Sequence, residues 1–220
     1  MPLDDSYSKK FGRHSASPAK RYSYSLRLGL IREALHIHKF TTLLDLGSAT
    51  GDYAIDLAEQ NGLTSHLLDI NPRRLLFAAS CKSEKLFILQ ADAISIPFRD
   101  NTFDFALMLN SLRYFSSPGQ ALLECRRVLR PGGHLLIIDH NKLSPEVLLL
   151  GRERTRCFTA SALANLVKTN HFEVINMKML FIPPSFIPAF LVNIIVRSGL
   201  KLASKLGKAY PEIFILAVKE

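Results

Sequence analysis

The sequence contains the stretch Leu43-Leu44-Asp45-Leu46-Gly47-Ser48-Ala49-Thr50-Gly51-Asp52, and this stretch decides the fold. A bounded apolar run of this length is typical of a buried strand, and residues 53–59 after it have helical spacing. The stretch therefore predicts a strand, a tight loop and a helix. Gly47 and Gly51 lack a Cβ atom, so the loop can adopt positive φ and approach a ligand closely, beside the amides of the helix start.

The spacing of the two glycines narrows the kind of ligand. It is G-x-x-x-G rather than the G-x-G-x-x-G of dinucleotide-binding folds, and no Lys-Ser or Lys-Thr pair follows it as in a phosphate-binding loop. The loop therefore favours a nucleotide-sized ligand without a phosphate chain. Taken alone, the pattern also fits a turn that only lets a strand and a helix pack closely.

Outward from this stretch, apolar strands alternate with amphipathic helices. This alternation predicts an α/β fold with a parallel sheet covered on both faces. The predicted helices cover residues 21–38, 53–61, 72–80, 120–129 and 158–169, and the predicted strands cover 43–46, 65–70, 86–90, 103–109, 134–139, 172–177 and 213–218.

An acidic residue ends the second strand. Asp69 comes 18 residues after Gly51, where one carboxylate can accept hydrogen bonds from both hydroxyls of a ribose. The alternative is that Asp69 caps the helix that begins near Pro72, a role for which Asn71 competes. The position beside the glycine loop favours the ribose role.

Polar residues also follow the third and fourth strands. Asp92 is placed to bind the exocyclic amine of a base, and Ala93 offers a backbone amide to a ring nitrogen. Residues 110–114 follow the fourth strand, at the edge where open α/β sheets bind ligands. These positions predict one binding edge along the sheet.

The ordered set of motifs resembles the class I S-adenosylmethionine-dependent methyltransferases. The resemblance implies a Rossmann-like, doubly wound, mostly parallel sheet of seven strands with the last one antiparallel and helices on both faces. Its motifs are Leu44-Asp45-Leu46-Gly47 to Gly51, Asp69, Asp92-Ala93, Asn101-Thr102-Phe103-Asp104 and Arg127-Val128-Leu129-Arg130-Pro131-Gly132-Gly133.

Within that superfamily, one segment is similar to the ubiquinone/menaquinone C-methyltransferase branch. The segment runs from Ile96-Pro97-Phe98-Arg99-Asp100 to Asp104 and is followed by Leu112-Arg113. Tyr114 stands where those enzymes have Asn, their glycine-rich C-terminal signature is missing, and Ala49 replaces the middle glycine of the loop. The first two departures weaken the quinone assignment, whereas we expect the small Ala49 to be tolerated.

The resemblance implies S-adenosylmethionine as the cofactor and assigns roles to particular residues. Asn110 would lie near the sulfonium end of the cofactor, and Asp45 would orient the loop. The loop Gly47–Gly51, including Ser48, would hold the methionine part, Asp69 the ribose with Ile70 as a further contact, and Asp92 and Ala93 the adenine.

Methyl transfer from a sulfonium requires mainly in-line alignment and exclusion of water. Arg113 is the candidate for stabilising an acceptor anion electrostatically. His140, just past the fifth strand, is the candidate general base, because imidazole titrates near neutral pH. A purely structural hydrogen-bonding role is the alternative for both residues. The seven histidines and three cysteines show no metal-ligand spacing.

The ends of the chain carry its positive charge. Residues 1–32 hold seven Lys or Arg against two Asp or Glu, and residues 141–220 hold eleven against five, whereas the middle carries ten against twelve. Any anionic partner would therefore bind the ends, although solvated surface lysines explain the excess equally well.

Residues 1–20 are interpreted as a mobile basic arm ahead of a single domain over 21–220. Tyr22 and Tyr24 would either cap a ligand or pack in the core.

The segment 179–209 is interpreted as a hydrophobic and basic helical insertion. Residues 179–196 contain no charged residue, but Pro183, Pro184 and Pro188 argue against a spanning helix. Beyond them, an apolar face beside a basic stripe over 189–208 suits either peripheral contact with an anionic membrane or a lid or dimer helix. The scattered cysteines and the polar N-terminus predict a cytoplasmic protein. If the helix at 189–208 contacts an anionic membrane, the protein would be peripheral at that membrane.

These features favour an enzyme that transfers a methyl group from S-adenosylmethionine to a small, apolar acceptor such as a quinone precursor or another lipid. A second hypothesis is an RNA methyltransferase, because the flanks of the chain are basic. The chain lacks an Asn/Asp-Pro-Pro-aromatic motif and a separate RNA-binding module, which disfavours nucleic acid as a partner. A third hypothesis is a non-catalytic protein that only binds the cofactor or a partner.

Overall fold

A computed structural model of the protein describes residues 17–38, 41–81, 83–144, 147–148, 156–182 and 211–220. Its helices are α1 (Pro18–His38), α2 (Asp52–Asn61), α3 (Pro72–Ala79), α4 (Pro118–Val128) and α5 (Ala160–Thr169), with a 3₁₀ turn at Leu112–Tyr114. Its strands are β1 (Thr42–Leu46), β2 (Thr64–Asp69), β3 (Leu86–Gln90), β4 (Phe103–Leu109), β5 (Leu129–His140), β6 (Phe172–Leu180) and β7 (Glu212–Lys219).

The strands form one sheet in the order β3-β2-β1-β4-β5-β7-β6. Strands β1 to β5 pair in parallel, while β7 runs antiparallel to both of its neighbours, β5 and β6. The expected mostly parallel, seven-stranded Rossmann-like sheet with an antiparallel last strand is therefore confirmed. Because β7 is antiparallel, it begins at the edge where β1 to β5 end.

Alternate residues of the central strands point into two core layers. In β1, Leu44 and Leu46 pack with α4 and α5 on one face, and Leu43 packs with α1, α2 and α3 on the other. All three leucine side chains are fully buried. A strand covered on both faces needs apolar residues that point to both faces, which is why Leu43, Leu44 and Leu46 are all apolar, and Asp45 is the exception.

Helix α1 begins earlier than the sequence predicted. It starts at Pro18 rather than at residue 21, and the amide of Arg21 donates to the Ser17 carbonyl at 3.0 Å. Proline suits the first helical position because its φ is preset and the N–H that it lacks would have no partner within the helix. Residues 18–20 are therefore helical rather than part of the expected arm, whose first sixteen residues lie outside the described part of the chain.

The boundary between α4 and β5 also differs. The helix starts at Pro118, capped by the Ser117 hydroxyl, which accepts from the Gln120 amide at 3.4 Å, and it ends at Val128. Leu129 is already extended and pairs with Phe103, next to a register shift in the β4–β5 pairing. Strand β5 therefore begins five residues before the predicted start at His134.

The segment 179–209 is described only at its start. Met179 and Leu180 are the last residues of β6, so the expected helical insertion is wrong at these two positions, where they pair with Ile213 and Glu212. Residues 183–210, which include the proposed membrane or dimer helix at 189–208, lie outside the described residues. Within the described ranges, none of the helices combines the length and the apolarity needed to cross a bilayer.

Candidate active site

A cavity of about 920 Å³ runs along the sheet edge at which the parallel strands end. Its walls follow the spatial order of the strands from β3 to β7. The lining includes Ala91–Ala93 after β3, Asp69 and Ile70 after β2, Gly47–Thr50 after β1, Leu109–Ser111 after β4, His140 at the end of β5, and Pro211 and Glu212 at the start of β7. One space therefore connects residues from six strands.

The cavity brings together the predicted site residues with one exception. Those that line it are Asp45, Gly47, Ser48, Asp69, Ile70, Asp92, Ala93, Asn110, Arg113 and His140. Gly51 does not line it. The assigned roles of these residues remain predictions, but their grouping in one cavity is a property of the structure.

The two glycines of the loop serve different purposes. Gly47 has a φ of +72°, and a Cβ atom there would lie 2.6 Å from the Cβ atom of Ser111, whose hydroxyl donates to the Leu46 carbonyl at 2.7 Å. Gly51 has a φ of +73° and precedes α2, and a Cβ atom there would lie 2.0 Å from a methyl carbon of Leu67. Gly47 thus lets the loop pass β4 beside the cavity, whereas Gly51 lets it pack on β2.

The loop is held from the neighbouring strand β2. The amides of Gly47 and Ser48 donate to the Leu68 carbonyl at 2.7 and 3.1 Å. The amide of Ala49, which has a left-handed φ of +52°, donates to Oδ2 of Asp69 at 2.9 Å. Asp69 therefore has a loop-positioning contact that the resemblance had assigned to Asp45, and the left-handed conformation is adopted without a glycine at position 49.

The sequence allowed either Asp69 or Asn71 to cap α3, and in the structure the cap is not Asp69. The side chain of Asn71 caps α3 by accepting from the Arg73 amide at 3.0 Å. Asp69 is buried beside the cavity, and its Oδ1 accepts from the Asn71 amide at 2.8 Å. Each carboxylate oxygen can accept more than one hydrogen bond, so Asp69 retains capacity for ligand hydroxyls.

Asp45 and Ser48 are two polar residues of the cavity wall beside the glycine loop. Burial, with a further contribution from the Asp69 carboxylate, raises the pKa of Asp45 to about 7. The buried hydroxyl oxygen of Ser48 has no hydrogen-bond partner among the described residues. A ligand with a cationic amino group and further polar atoms would satisfy both positions, which fits an amino acid moiety.

The β3 end of the cavity combines a carboxylate with an apolar surface. Asp92 is held by the Ile94 amide, which donates to its Oδ1 at 3.2 Å. Ile70 is 64% exposed, which is unusual for a large apolar side chain at the edge of a cavity. This combination suits a flat heterocycle that packs on Ile70 and donates a hydrogen bond to Asp92.

Arg113 is fixed by several contacts at the carboxyl edge of β4 and β5. Its guanidinium pairs with the fully buried Asp139, donates to the Asn110 amide oxygen at 3.2 Å, and lies 4.5 Å from the ring centre of Tyr114. Burial alone would lower the pKa of Arg113, but the Asp139 carboxylate raises it. Arg113 therefore stays cationic and can act electrostatically, not as a base.

His140 lies opposite Glu212 in the antiparallel pairing of β5 with β7. Burial, opposed by the Glu212 carboxylate and reinforced by Arg113, lowers the pKa of His140. The imidazole is therefore neutral at physiological pH, as a proton acceptor must be.

The cavity wall also contains an ion pair that no sequence motif indicated. Arg27 of α1 donates from Nε to Oε2 of Glu212 at 2.9 Å, pairs a second time through Nη2, and donates to the Tyr53 hydroxyl at 3.3 Å. Glu212 is fully buried, and both Arg27 and Glu212 line the cavity. An antiparallel last strand must begin at the ligand-binding edge, so the position of Glu212 at its start was a usable signal.

The two N-terminal tyrosines do not line the cavity. Tyr24 is buried and its hydroxyl donates to Oδ2 of Asp56 at 2.6 Å, while Tyr22 packs beside Ala19. The packing alternative is therefore the one that the structure supports. Among the described residues, no three His, Cys, Asp or Glu side chains are grouped so that they could hold a metal ion.

Comparison with known proteins finds similarity in the central part of the chain. Residues 44–137 match the family model of a methyltransferase domain. The chain is 41% identical over 105 residues to the ubiquinone/menaquinone biosynthesis C-methyltransferase UbiE of Blochmanniella pennsylvanica, a match that covers 44% of this chain and 41% of that protein. It is 34% identical over 114 residues to a 2-phytyl-1,4-naphtoquinone methyltransferase of Nostoc punctiforme, covering 48% of this chain and 50% of that protein.

The chain thus spans half the length or less of these two curated relatives.

The chain is also similar in structure, over nearly its whole length, to a putative sarcosine dimethylglycine methyltransferase from Galdieria sulphuraria. The TM-score is 0.73 with 16% identity, and the match covers 98% of each chain. At this identity the likeness concerns the fold alone.

Proposed function

Since the chain carries a class I S-adenosylmethionine-dependent methyltransferase domain, we propose that it transfers a methyl group to a small, apolar acceptor such as a quinone precursor or another lipid-like molecule. The observation that carries this proposal is the single cavity that connects the glycine loop to His140 and Glu212. A transferase needs such a space, because cofactor and acceptor must meet inside it.

The cofactor end of the cavity would be the part from β3 to β1. There Asp92 would take the adenine amine, Asp69 the ribose hydroxyls, and Asp45 with Ser48 the amino acid end. The buried Asp45 carboxyl group supports this assignment, as does the Ser48 hydroxyl, which has no hydrogen-bond partner in the described part of the chain. When bound, S-adenosylmethionine supplies an activated methyl group.

The acceptor end would be the part from β4 to β7. Tyr114 and Phe115 give it aromatic surface, and Ile182 and Pro211 add apolar surface. The neutral imidazole of His140 would accept a proton from a ring hydroxyl, and the fixed charge of Arg113 would stabilise the resulting oxyanion. Names of the two relatives refer to quinone methylation, which supports an acceptor of this class.

Two measurements test the proposal. Calorimetry should show binding of S-adenosylhomocysteine, and radiolabelled methyl groups should enter a lipid extract and not total RNA. Label in RNA would support an RNA methyltransferase instead, and binding without transfer to either extract would support a non-catalytic protein.

A variant tests the role of Arg113. We expect Arg113→Ala to lower turnover about 100-fold, because it removes a preorganised charge next to the acceptor. Arg113→Lys keeps a positive charge and should retain part of the activity, which separates electrostatics from folding damage. Arg99→Ala, at an exposed position, is the control and should match the unaltered protein. Near-normal turnover of Arg113→Ala would contradict the assignment.

A further inference from the structure

Tyr114 presents an exposed aromatic ring in the wall of the cavity. Its side chain is 46% exposed, and of the large apolar side chains that are exposed in the described ranges, Ile70 and Tyr114 are the two that line the cavity. Ile70 lies at the end where a heterocycle would pack on it, whereas Tyr114 lies at the acceptor end. Exposed apolar surface inside a concave site is surface that a ligand can cover. The cavity therefore offers one such surface at each end.

The backbone that carries the Tyr114 ring is fixed. Tyr114 is the last residue of the 3₁₀ turn, and its amide donates to the Ser111 carbonyl at 2.9 Å. The amide of the next residue, Phe115, donates to the Leu112 carbonyl at 3.2 Å, and the Leu112 side chain is fully buried. The ring is therefore carried by an ordered turn, so that a ligand packing on it has little protein entropy to overcome.

The Arg113 guanidinium holds the ring itself. It lies over the Tyr114 ring, 4.5 Å from the ring centre, and its Nη2 donates to the Tyr114 hydroxyl oxygen at 3.2 Å. The same guanidinium is paired with the buried Asp139. Because the cation attracts the electron density of the Tyr114 ring, the ring favours stacking with an electron-rich partner. An oxygen-bearing aromatic ring is such a partner, and stacking there would bring its oxygens towards the Arg113 charge.

A saturated lipid would gain less from this surface. It would cover Tyr114 through the hydrophobic effect, which depends on buried area, whereas a flat aromatic ring would gain offset stacking as well. Position 114 is also one at which this chain departs from the quinone C-methyltransferase branch that it resembles, since Tyr stands where those enzymes have Asn. Recognition through the Tyr114 ring would therefore distinguish this chain from that branch.

We propose that Tyr114 is a specificity-determining residue, which selects a planar, oxygen-bearing aromatic ring over a saturated lipid as the methyl acceptor. This inference rests on the proposed function, which leaves both kinds of acceptor open, and it chooses between them. It assigns the choice to stacking on the ring of one side chain.

The test compares two probes in protein saturated with S-adenosylhomocysteine. One probe is a hydroquinone with a short prenyl tail, and the other is the cyclohexanediol with the same tail, which lacks the planar ring. By calorimetry, the unaltered protein should bind the hydroquinone about 10-fold more tightly. Tyr114→Leu keeps an apolar side chain without the ring, so it should reduce this preference about 5-fold through weaker binding of the hydroquinone, as expected for the loss of one aromatic pair.

Two further variants separate the ring from other contributions. Tyr114→Phe keeps the ring and removes the hydroxyl that accepts from Arg113, so its preference should stay within about 2-fold of the original. Phe87→Leu makes the same aromatic-to-aliphatic change at a side chain that is 50% exposed and does not line the cavity, so it should leave the preference unaltered. Each variant should keep the affinity of the unaltered protein for S-adenosylhomocysteine, which checks that it is folded.

Three results would overturn the inference in distinguishable ways. If the unaltered protein prefers the hydroquinone and Tyr114→Leu does not change the ratio, the Tyr114 ring does not select the acceptor, while the proposed function stands. If the unaltered protein binds both probes equally, the site does not select an aromatic ring, and the proposed function again stands. If the protein binds S-adenosylhomocysteine but neither probe, the acceptor class itself is wrong and the inference fails with it.

Discussion

At the scale of single residues, Asp45 makes the stability of the protein depend on pH. Burial, with a contribution from Asp69, raises its pKa from 3.8 to about 7. A raised folded-state pKa means that the stabilising effect of protonated Asp45 is full below the unfolded value and is lost as pH rises to about 7. Asp45→Asn removes this titration, so its gain in unfolding free energy should be about 2–3 kcal/mol larger at pH 8 than at pH 5.

Urea unfolding at the two pH values measures this difference. Asp100→Asn is the control, because the Asp100 side chain is 67% exposed and its effect should change little between them. An Asp45→Asn effect of equal size at pH 5 and pH 8 would show that Asp45 is not held in a high-pKa environment.

Gly51 tests whether the loop needs glycine for packing. Gly51→Ala would place a methyl group at a φ of +73° and 2.0 Å from the Leu67 side chain, which is itself fully buried. Strain and overpacking together should lower the unfolding free energy by about 2–4 kcal/mol. The matched control is Gly29→Ala in α1, where a Cβ atom meets nothing within 4 Å and alanine favours the helix. Equal stability of the two variants would contradict this account.

At the scale of elements, α1 is anchored to the domain by a buried hydrogen bond. The hydroxyl of Tyr24 donates to Asp56 of α2 at 2.6 Å, and its ring stacks on that of Tyr53 at 4.5 Å. Tyr24→Phe keeps the ring but deprives the buried Asp56 of a donor, so it should cost about 1–3 kcal/mol in urea unfolding. Tyr22→Phe removes a hydroxyl from the same helix at a position that packs beside Ala19, and it should be nearly neutral. A comparable loss in both variants would argue against the anchor.

The elements that the sequence predicted well are those whose signal is local. Strands β1, β3 and β4 are bounded apolar runs, so their limits agree with the structure within one residue. The start of β5 was missed because Leu129 pairs with Phe103, a contact that no local pattern encodes. The start of α1 was missed because residues 17–20 look polar, although Pro18 at the first turn is a helix signal.

At the scale of the whole molecule, the same distinction holds for the site. The grouping of Asp69, Asp92 and Asn110 along one cavity was predictable, because parallel strands end at the same edge of the sheet. The Arg27–Glu212 pair was not, because its members are 185 residues apart and meet only when α1 and β7 have packed on the same sheet. The predicted site therefore contained residues at the ends of strands, and it lacked residue pairs such as Arg27 and Glu212 that only tertiary packing brings together.

The position of β7 makes residues 212–219 part of the core. Ile213, Ile215 and Ala217 enter one core layer, while Phe214 and Leu216 enter the other. The strand also separates β5 from β6, so without it neither neighbour has its ladder partner on that side. A chain that ends at residue 210 should therefore show no cooperative unfolding transition when its denaturation is followed by circular dichroism, whereas the full chain should show one.

A chain that ends at Lys219 is the matched control for that truncation. It lacks only the exposed Glu220 and keeps the Lys219 ammonium, which donates to Asn101 at 2.8 Å and to the Leu129 carbonyl at 2.6 Å. It should unfold like the full chain. If the chain ending at residue 210 also unfolded cooperatively, β1 to β5 would be a self-sufficient unit and β7 only an addition to it. Since β7 carries Glu212, that result would also mean that the acceptor wall is built on an element that the core does not need.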